Sequence, residues 1–395
     1  MTTTLKARDV RKYAGVELNA LAASGVIPRA VYEKSRVSST GTPVYDLNGE
    51  LLFRRIPLKR GRNQVAYADV AANPALKAVL LGVSYGAEWD ARDAIAQAVK
   101  AARKHVRRMQ YDKARFVAFS YPKIAVQFLR RKEEVLMLEW GTWTRIPAAR
   151  RQRREPMQPS NFERWSLLEE MPATKLRANK RAFNKRVEQL GEISRTAATR
   201  RIDLNRIYAE NFRIWDWRRV TTSEIHYTHR LNDPDHTPCY ELRGQETSVW
   251  CVGASVQMLL DFYRYEYTQT RIAQALGLGT PTNPNGLPYA RVGDVVTELE
   301  NLSSNALSAT MVTNPTWTFF NNEIRANRPV ISFVPGHSRT VAGTTQTWLL
   351  RPVSVSFRGL LVYDPWPPNA GVITRWENFD AQTYQYGYSA EVTTI

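Results

Sequence analysis

Apolar and polar positions alternate through residues 44–58, "VYDLNGELLFRRIPL", and Asn48-Gly49 interrupts the alternation. That pair favours a two-residue turn, so the spacing predicts a hairpin, with Pro57 closing its second strand. In "QVAYADVAANPALKAVLLGVS" (64–84) the pattern predicts a short helix and then a strand near Val79–Ser84. The period lengthens in "DARDAIAQAVKAARKHVRRM" (90–109), where Ile95, Ala98, Val99, Ala102 and Val106 keep helical spacing behind Asp90, a capping residue. Period-two runs return at 115–120, 123–129 and 134–139. One long helix against a meander predicts an α+β layer over residues 1–147.

The stretch "IPAARRQRREPMQPS" (146–160) has no periodicity, five arginines or glutamines in a row of polar residues, and three prolines, and reads as a boundary. Its basic core at 150–154 is also a candidate cleavage region. Residues 161–218 are helical in pattern, with Leu176, Phe183, Val187 and Leu190 on one stripe, so 148–237 reads as a basic linker and helical arm. From 238 the pattern is that of a separate domain running to 395. Helices are expected near 251–264, 268–276, 291–302 and 316–327. Strands are expected at 328–336, 340–353, 359–365 and 371–376. Helices followed by antiparallel strands give an α+β domain with two segregated halves and a cleft between them.

Charge sharpens this division. The chain of 395 residues carries a net +18. Residues 238–395 hold 10 Arg, no Lys and 12 acidic side chains, so residues 1–237 carry about +20 and the remainder about −2. The excess reads as a solvated arginine-rich surface or as a face for an acidic partner. No nucleic-acid-binding motif accompanies it. No run is long and apolar enough to span a membrane, and "MTTTLKARDVRKYAG" lacks the apolar core of a Sec signal. Two cysteines, Cys239 and Cys251, make no disulfide framework and fit a reducing compartment. The expectation is a cytoplasmic protein, or one exported by a non-Sec route.

Cys251 carries the candidate chemistry. It heads the apolar run after "QETSVW", where Thr247 or Ser248 could cap a helix whose dipole would favour a thiolate. Of five histidines, His337 is the one downstream of Cys251, at the edge between two predicted strands. An imidazole there suits proton transfer at neutral pH. Asp364 ends the next apolar strand and can orient the ring. Gln245, six residues before the cysteine, can offer its amide to an oxyanion together with the Cys251 N–H.

The order Gln245, Cys251, His337, Asp364 resembles papain-like cysteine peptidases. The likeness is to the small bacterial branch related to double-glycine leader peptidases and to effector proteases of plant pathogens. It is carried by "QETSVWC", by His337 with Gly343 six residues on, by Asp364-Pro365-Trp366, by Leu276-Gly277 and by "NRPVIS". Val252-Gly253 follows the cysteine where that branch often has an aromatic. The likeness covers about 240–395. It implies a papain-like fold, a helical half plus an antiparallel sheet, and peptide-bond cleavage through an acyl-enzyme without a cofactor. It implies Cys251 as nucleophile, His337 as base, Asp364 as orienter and Gln245 as oxyanion donor. The same triad would serve a transamidase or deamidase, and an inert basic scaffold or nucleic-acid-binding protein is the reading from another class. Helix-on-strands architecture in 1–147 also suits an inhibitory or targeting domain, so self-inhibition is an expectation from fold analogy.

A second cluster, "HYTHRLNDPDHTPC", sets His226, His229, His236 and Cys239 in a His-x2-His-x6-His-x2-Cys pattern. Four such ligands could hold zinc. The central spacing is short for a finger, and a polar connector is the preferred reading.

Overall fold

The computed structural model describes residues 4–85, 89–106, 109–147, 155–160, 163–208, 220–229, 241–349 and 355–393. The mixed α+β architecture expected from the sequence is present, with nine α-helices and one large sheet among the described residues.

The front of the chain runs α1 (Ala7–Ala23), α2 (Arg29–Tyr32), β1 (Ser35–Val37), β2 (Thr42–Asp46), β3 (Leu51–Arg60), β4 (Asn63–Ala71), β5 (Leu80–Tyr85), α3 (Ala91–His105), β6 (Lys113–Ser120), β7 (Lys123–Arg130) and β8 (Glu133–Glu139). Asp90 caps α3 by accepting from the amides of Arg92 and Asp93. Two expectations are corrected here. The segment at 63–71 is a strand, and only a 3-10 turn at Pro74–Leu76 remains of the predicted helix. β4 pairs with β3 on one side and β5 on the other, and that pairing overrides the helical preference of its alanines. Pro57 does not close β3, which continues to Arg60. On that edge the Ser38 amide donates to the Pro57 carbonyl at 2.9 Å, so the proline keeps one bond to its neighbour and lacks only the one its missing N–H would make.

Next come α4 (Leu167–Glu170), α5 (Ala173–Thr199), β9 (Arg206–Ile207) and β10 (Val220–Tyr227). α5 packs along α1. Phe183 and Leu190 of its stripe are buried, Leu176 and Val187 are partly so, and Arg186 makes a bidentate pair with buried Glu17. The basic core 148–154 and the end of the arm, 209–219, lie outside the described residues.

The last third runs α6 (Cys251–Phe262), α7 (Gln269–Ala275), β11 (Gly279–Thr280), β12 (Asn283–Pro284), α8 (Asp294–Leu302), β13 (Leu307–Thr313), α9 (Trp317–Arg325), β14 (Val330–Val334), β15 (His337–Leu349), β16 (Val355–Asp364), β17 (Val372–Asn378) and β18 (Tyr386–Val392). The four predicted helices and four predicted strands are present. β13 and β18 were not anticipated. They pair with each other, and β18 then pairs with β14.

The sheet order is β13-β18-β14-β15-β16-β17-β5-β4-β3-β2-β6-β7-β8, with β1, β9 and β10 off this path. Strand pairing therefore runs from the last third into the front of the chain, through Glu377 opposite Gly82. Trp376 Nε1 donates to the Val26 carbonyl at 3.1 Å, and Asn378 Nδ2 to that of Leu80 at 2.8 Å, across the same joint. One apolar core spans it, joining Val70 and Val83 in front with Leu361, Tyr363 and Trp376 behind. A second core lies between α6, α7 and α8 and the β13-β18-β14 end of the sheet.

Candidate active site

All twelve residues of α6 are buried, the polar Ser255, Gln257 and Asp261 among them, which places it at the centre of the last third. Trp250 anchors its start: the ring is fully buried and Nε1 donates to the Leu278 carbonyl at 2.9 Å. Neither Thr247 nor Ser248 caps it. The N-cap position is Trp250, with no side-chain cap bond. The first amides of the helix therefore keep their positive end facing the Cys251 side chain.

His337 is the first residue of β15. It follows a tight turn in which Val334 pairs with His337 and Gly336 has φ +68°. A glycine is needed there, and a Cβ would also meet Pro159 Cγ at 3.0 Å. Asp364 ends β16, which pairs with β15 through Tyr363 opposite Thr340. The two strands thus bring an imidazole and a carboxylate 27 residues apart to one edge. His337 Nε2 donates to Asp364 Oδ1 at 2.6 Å, and the same oxygen accepts the Trp366 amide at 2.9 Å. The other ring nitrogen, Nδ1, is buried and has no oxygen or nitrogen partner. The charge of this ring acts on the Cys251 thiol.

The electrostatics of the pair push the thiol and the imidazole in opposite directions. Burial by itself would push the Cys251 thiol up. The hydrogen bond and charge of His337, the Lys123 ammonium and the Ser338 amide outweigh it, and the thiol is held below its ordinary value. Burial would lower His337, but Asp364 and then Cys251 raise it above the ordinary histidine value. The two shifts run toward each other, the direction that favours passing the thiol proton to the imidazole.

Gln245 sits on the loop before α6 and is locked to the loop after β16. Its N–H donates to the Pro365 carbonyl, and its carbonyl accepts from the Asn369 amide, both at 2.9 Å. Its side-chain Nε2 donates to the Thr247 carbonyl at 2.7 Å, which leaves one amide N–H uncommitted by that bond. The four sequence-selected side chains therefore lie on three adjoining segments: Gln245 and Cys251 around the start of α6, His337 on β15, Asp364 on β16.

Two features of this site were not anticipated. Lys123, at the start of β7 and 1% exposed, places an ammonium close enough to lower the thiol. The site is also covered. Cys251, His337, Asp364 and Gln245 are 1%, 2%, 6% and 0% exposed. Cys251 is buried among residues of the last third, and the front of the chain lies against the neighbouring Gly336 and Trp366. Ser120, at the β6–β7 turn, and Pro159 lie against Gly336, next to His337. Trp366 Nε1 donates to Glu139 Oε1 at 2.9 Å, and its ring packs on Trp140 at 5.5 Å. A lysine at a strand start reads as exposed in sequence, so nothing local marked Lys123.

Of the four candidate zinc ligands, His236 and Cys239 lie outside the described residues. His226 lies on β10, its Nε2 3.8 Å from Glu224 Oε2, and the backbone amide of His229 is held by Asn327. Among the described residues, no group of three or more His, Cys, Asp or Glu side chains is arranged to hold a metal. None of the described helices is long and apolar enough to cross a membrane.

A model of the Peptidase_C39 like family matches residues 234–391, the segment that carries all four site residues. This segment is similar to that family. A solved structure of a double glycine motif protease from an AMS/PCAT transporter, in complex with the leader peptide, is similar at 13% identity over 39% of this chain and 92% of that one, with a TM-score of 0.27. No curated protein matches the chain. The match to the Peptidase_C39-like family begins between β10 and α6 and ends within β18. The strands that continue the sheet beyond β17 lie outside it.

Proposed function

We propose that the Peptidase_C39-like domain is a cysteine peptidase acting on protein or peptide substrates, with Cys251, His337, Asp364 and Gln245 as its machinery. The observation that carries this reading is the His337 ring, bonded to Asp364 through Nε2, whose charge lowers the Cys251 thiol. The Cys251 thiolate attacks the peptide carbonyl carbon and forms a C–S bond. The Cys251 N–H and the remaining N–H of the Gln245 amide receive the oxyanion. His337 gives its proton to the leaving amine as the C–N bond breaks. A water, deprotonated by His337, then attacks the thioester, releasing a carboxylic acid and restoring the thiol. Asp364 keeps the imidazolium oriented throughout.

The burial of the thiol supports a second element of the proposal: the front of the chain holds the site in a latent form. Substrate reaches Cys251 when the β6–β7 turn and Pro159 move off Gly336. Residues 1–147 then act as an inhibitory domain, with 148–237 as the connecting arm.

The test compares the full chain with Cys251→Ala against a peptide library and an electrophilic acyl probe, with and without an amine acceptor. New peptide termini and probe labelling are expected from the parent chain and absent from Cys251→Ala. Labelling that persists in Cys251→Ala removes the nucleophile assignment. Products carrying the amine in place of water redirect the reading to acyl transfer.

A further inference from the structure

A cavity of about 260 Å³ lies between the two parts of the chain, away from the thiol. The front contributes Leu76, Met157, Trp165 and Met171 to its wall, and the peptidase side contributes Pro335 and Ala381. Its polar groups form one connected cluster. Lys175 Nζ donates to Thr383 Oγ1 at 2.6 Å, and Lys77 Nζ lies 3.5 Å from Asp380 Oδ1. Asp380 is already engaged by Arg358, whose Nη2 and Nε reach its two oxygens at 2.5 and 3.1 Å. Lys77 and Arg358 thus share one carboxylate, and the nearby Lys175 is bonded to a neutral hydroxyl. The strain is visible at Lys175, whose ammonium is pushed below its ordinary value by burial and then by the charge of Lys77.

We infer that this cavity binds a free apolar carboxylate, such as a medium-chain fatty acid, with its head between Lys77 and Lys175 and its chain along the Met157–Trp165–Met171 wall. The charge argument selects the head: a second carboxylate would supply the negative charge that Asp380 alone does not provide. The wall selects the tail. A peptide backbone entering the cavity would need donors and acceptors along its length. The two amides in the wall are engaged: Asn179 Nδ2 donates to the Ala75 carbonyl at 2.7 Å, and Gln382 Nε2 to Glu377 Oε2 at 3.3 Å. A hydrocarbon needs none. Because both sides of the joint line the cavity, the ligand would bridge the front of the chain and the peptidase domain.

The test uses the full chain carrying Cys251→Ala, so that the result does not depend on peptidase activity. Decanoate, decanol and a tripeptide with apolar residues and a free C-terminus are titrated by calorimetry, with thermal unfolding as a second readout. Decanoate is expected to bind saturably and raise the melting temperature by mass action. Lys77→Met combined with Lys175→Met is expected to weaken it about tenfold or more, and Arg at both positions to retain it. Ala178→Phe, which fills the cavity and keeps both charges, is expected to abolish binding. Variants are compared only where their circular dichroism matches the parent. Decanol binding as well as decanoate, the tripeptide binding in its place, or unaltered decanoate binding in the Met variants each overturns the inference.

Discussion

Asp364→Asn separates charge from geometry at the imidazole. Asp364 Oδ1 receives both the His337 Nε2 proton and the Trp366 amide. An asparagine oxygen in the same place accepts both bonds, so the loop stays in position and only the negative charge is lost. A hydrogen bond to a charged group contributes about 1.5–3 kcal/mol, and its neutral counterpart about 0.5–1.5 kcal/mol. The difference, about 1–2 kcal/mol, corresponds to about 5- to 30-fold in the population of the thiolate–imidazolium pair. The direction with pH follows from the raised His337. The imidazolium is present below its folded pKa and is lost as pH rises through it. Removing the charge that raises it moves that loss to lower pH. The assay is the pH dependence of thiolate ultraviolet absorbance and of modification by a small methanethiosulfonate, in a Cys239→Ser background so that one thiol reports. The alkaline limb is expected to move down and the neutral-pH rate to fall by the stated factor. An unmoved limb and an unchanged rate would refute the coupling between Asp364 and the reactive pair.

Three further predictions follow the cover and the thiol. Lys123→Met removes one of the charges that lower Cys251, so the acid limb of the thiolate titration should move to higher pH and acid-side modification should slow about two- to tenfold; an unchanged limb rules the ammonium out. Glu139→Met takes the acceptor from Trp366 Nε1, weakening the cover by about 1.5–3 kcal/mol, so modification of Cys251 should speed up about tenfold or more; no acceleration counts against opening along this joint. Gly336→Ala places a side chain on a residue at φ +68° and against Pro159, and urea unfolding should show a loss of about 1–3 kcal/mol; an unaltered midpoint shows that the turn relaxes freely.

Local signals carried the elements they physically control. Asp90 marked the start of α3 because an N-cap carboxylate meets amides two and three residues away. The apolar run after Cys251 marked α6, although the capping reading failed: Thr247 and Ser248 resemble caps in sequence, while burial of Trp250 sets the boundary instead. β13 and β18 escaped notice. β13 is half-exposed and rich in Ser and Thr, and its identity as a strand rests on seven paired residues in β18, almost eighty positions away. β4 was misread for the same reason, since its flanking strands, not its alanines, decide its conformation.

The sequence by itself determined which chemistry the last third could hold. The local patterns around Gln245, Cys251, His337 and Asp364 marked them as candidates, and three of them, Cys251, His337 and Asp364, sit at element ends. It also determined that no lysine of the chain lies beyond Lys185. An ammonium near the thiol must therefore come from the front of the chain, yet which one arrives there was not legible. Tertiary structure decided that it is Lys123, that β5 joins β17, and that the thiol is closed off. These outcomes depend on strand pairing and burial between residues hundreds of positions apart, and no period in the chain encodes which distant edge a strand will meet.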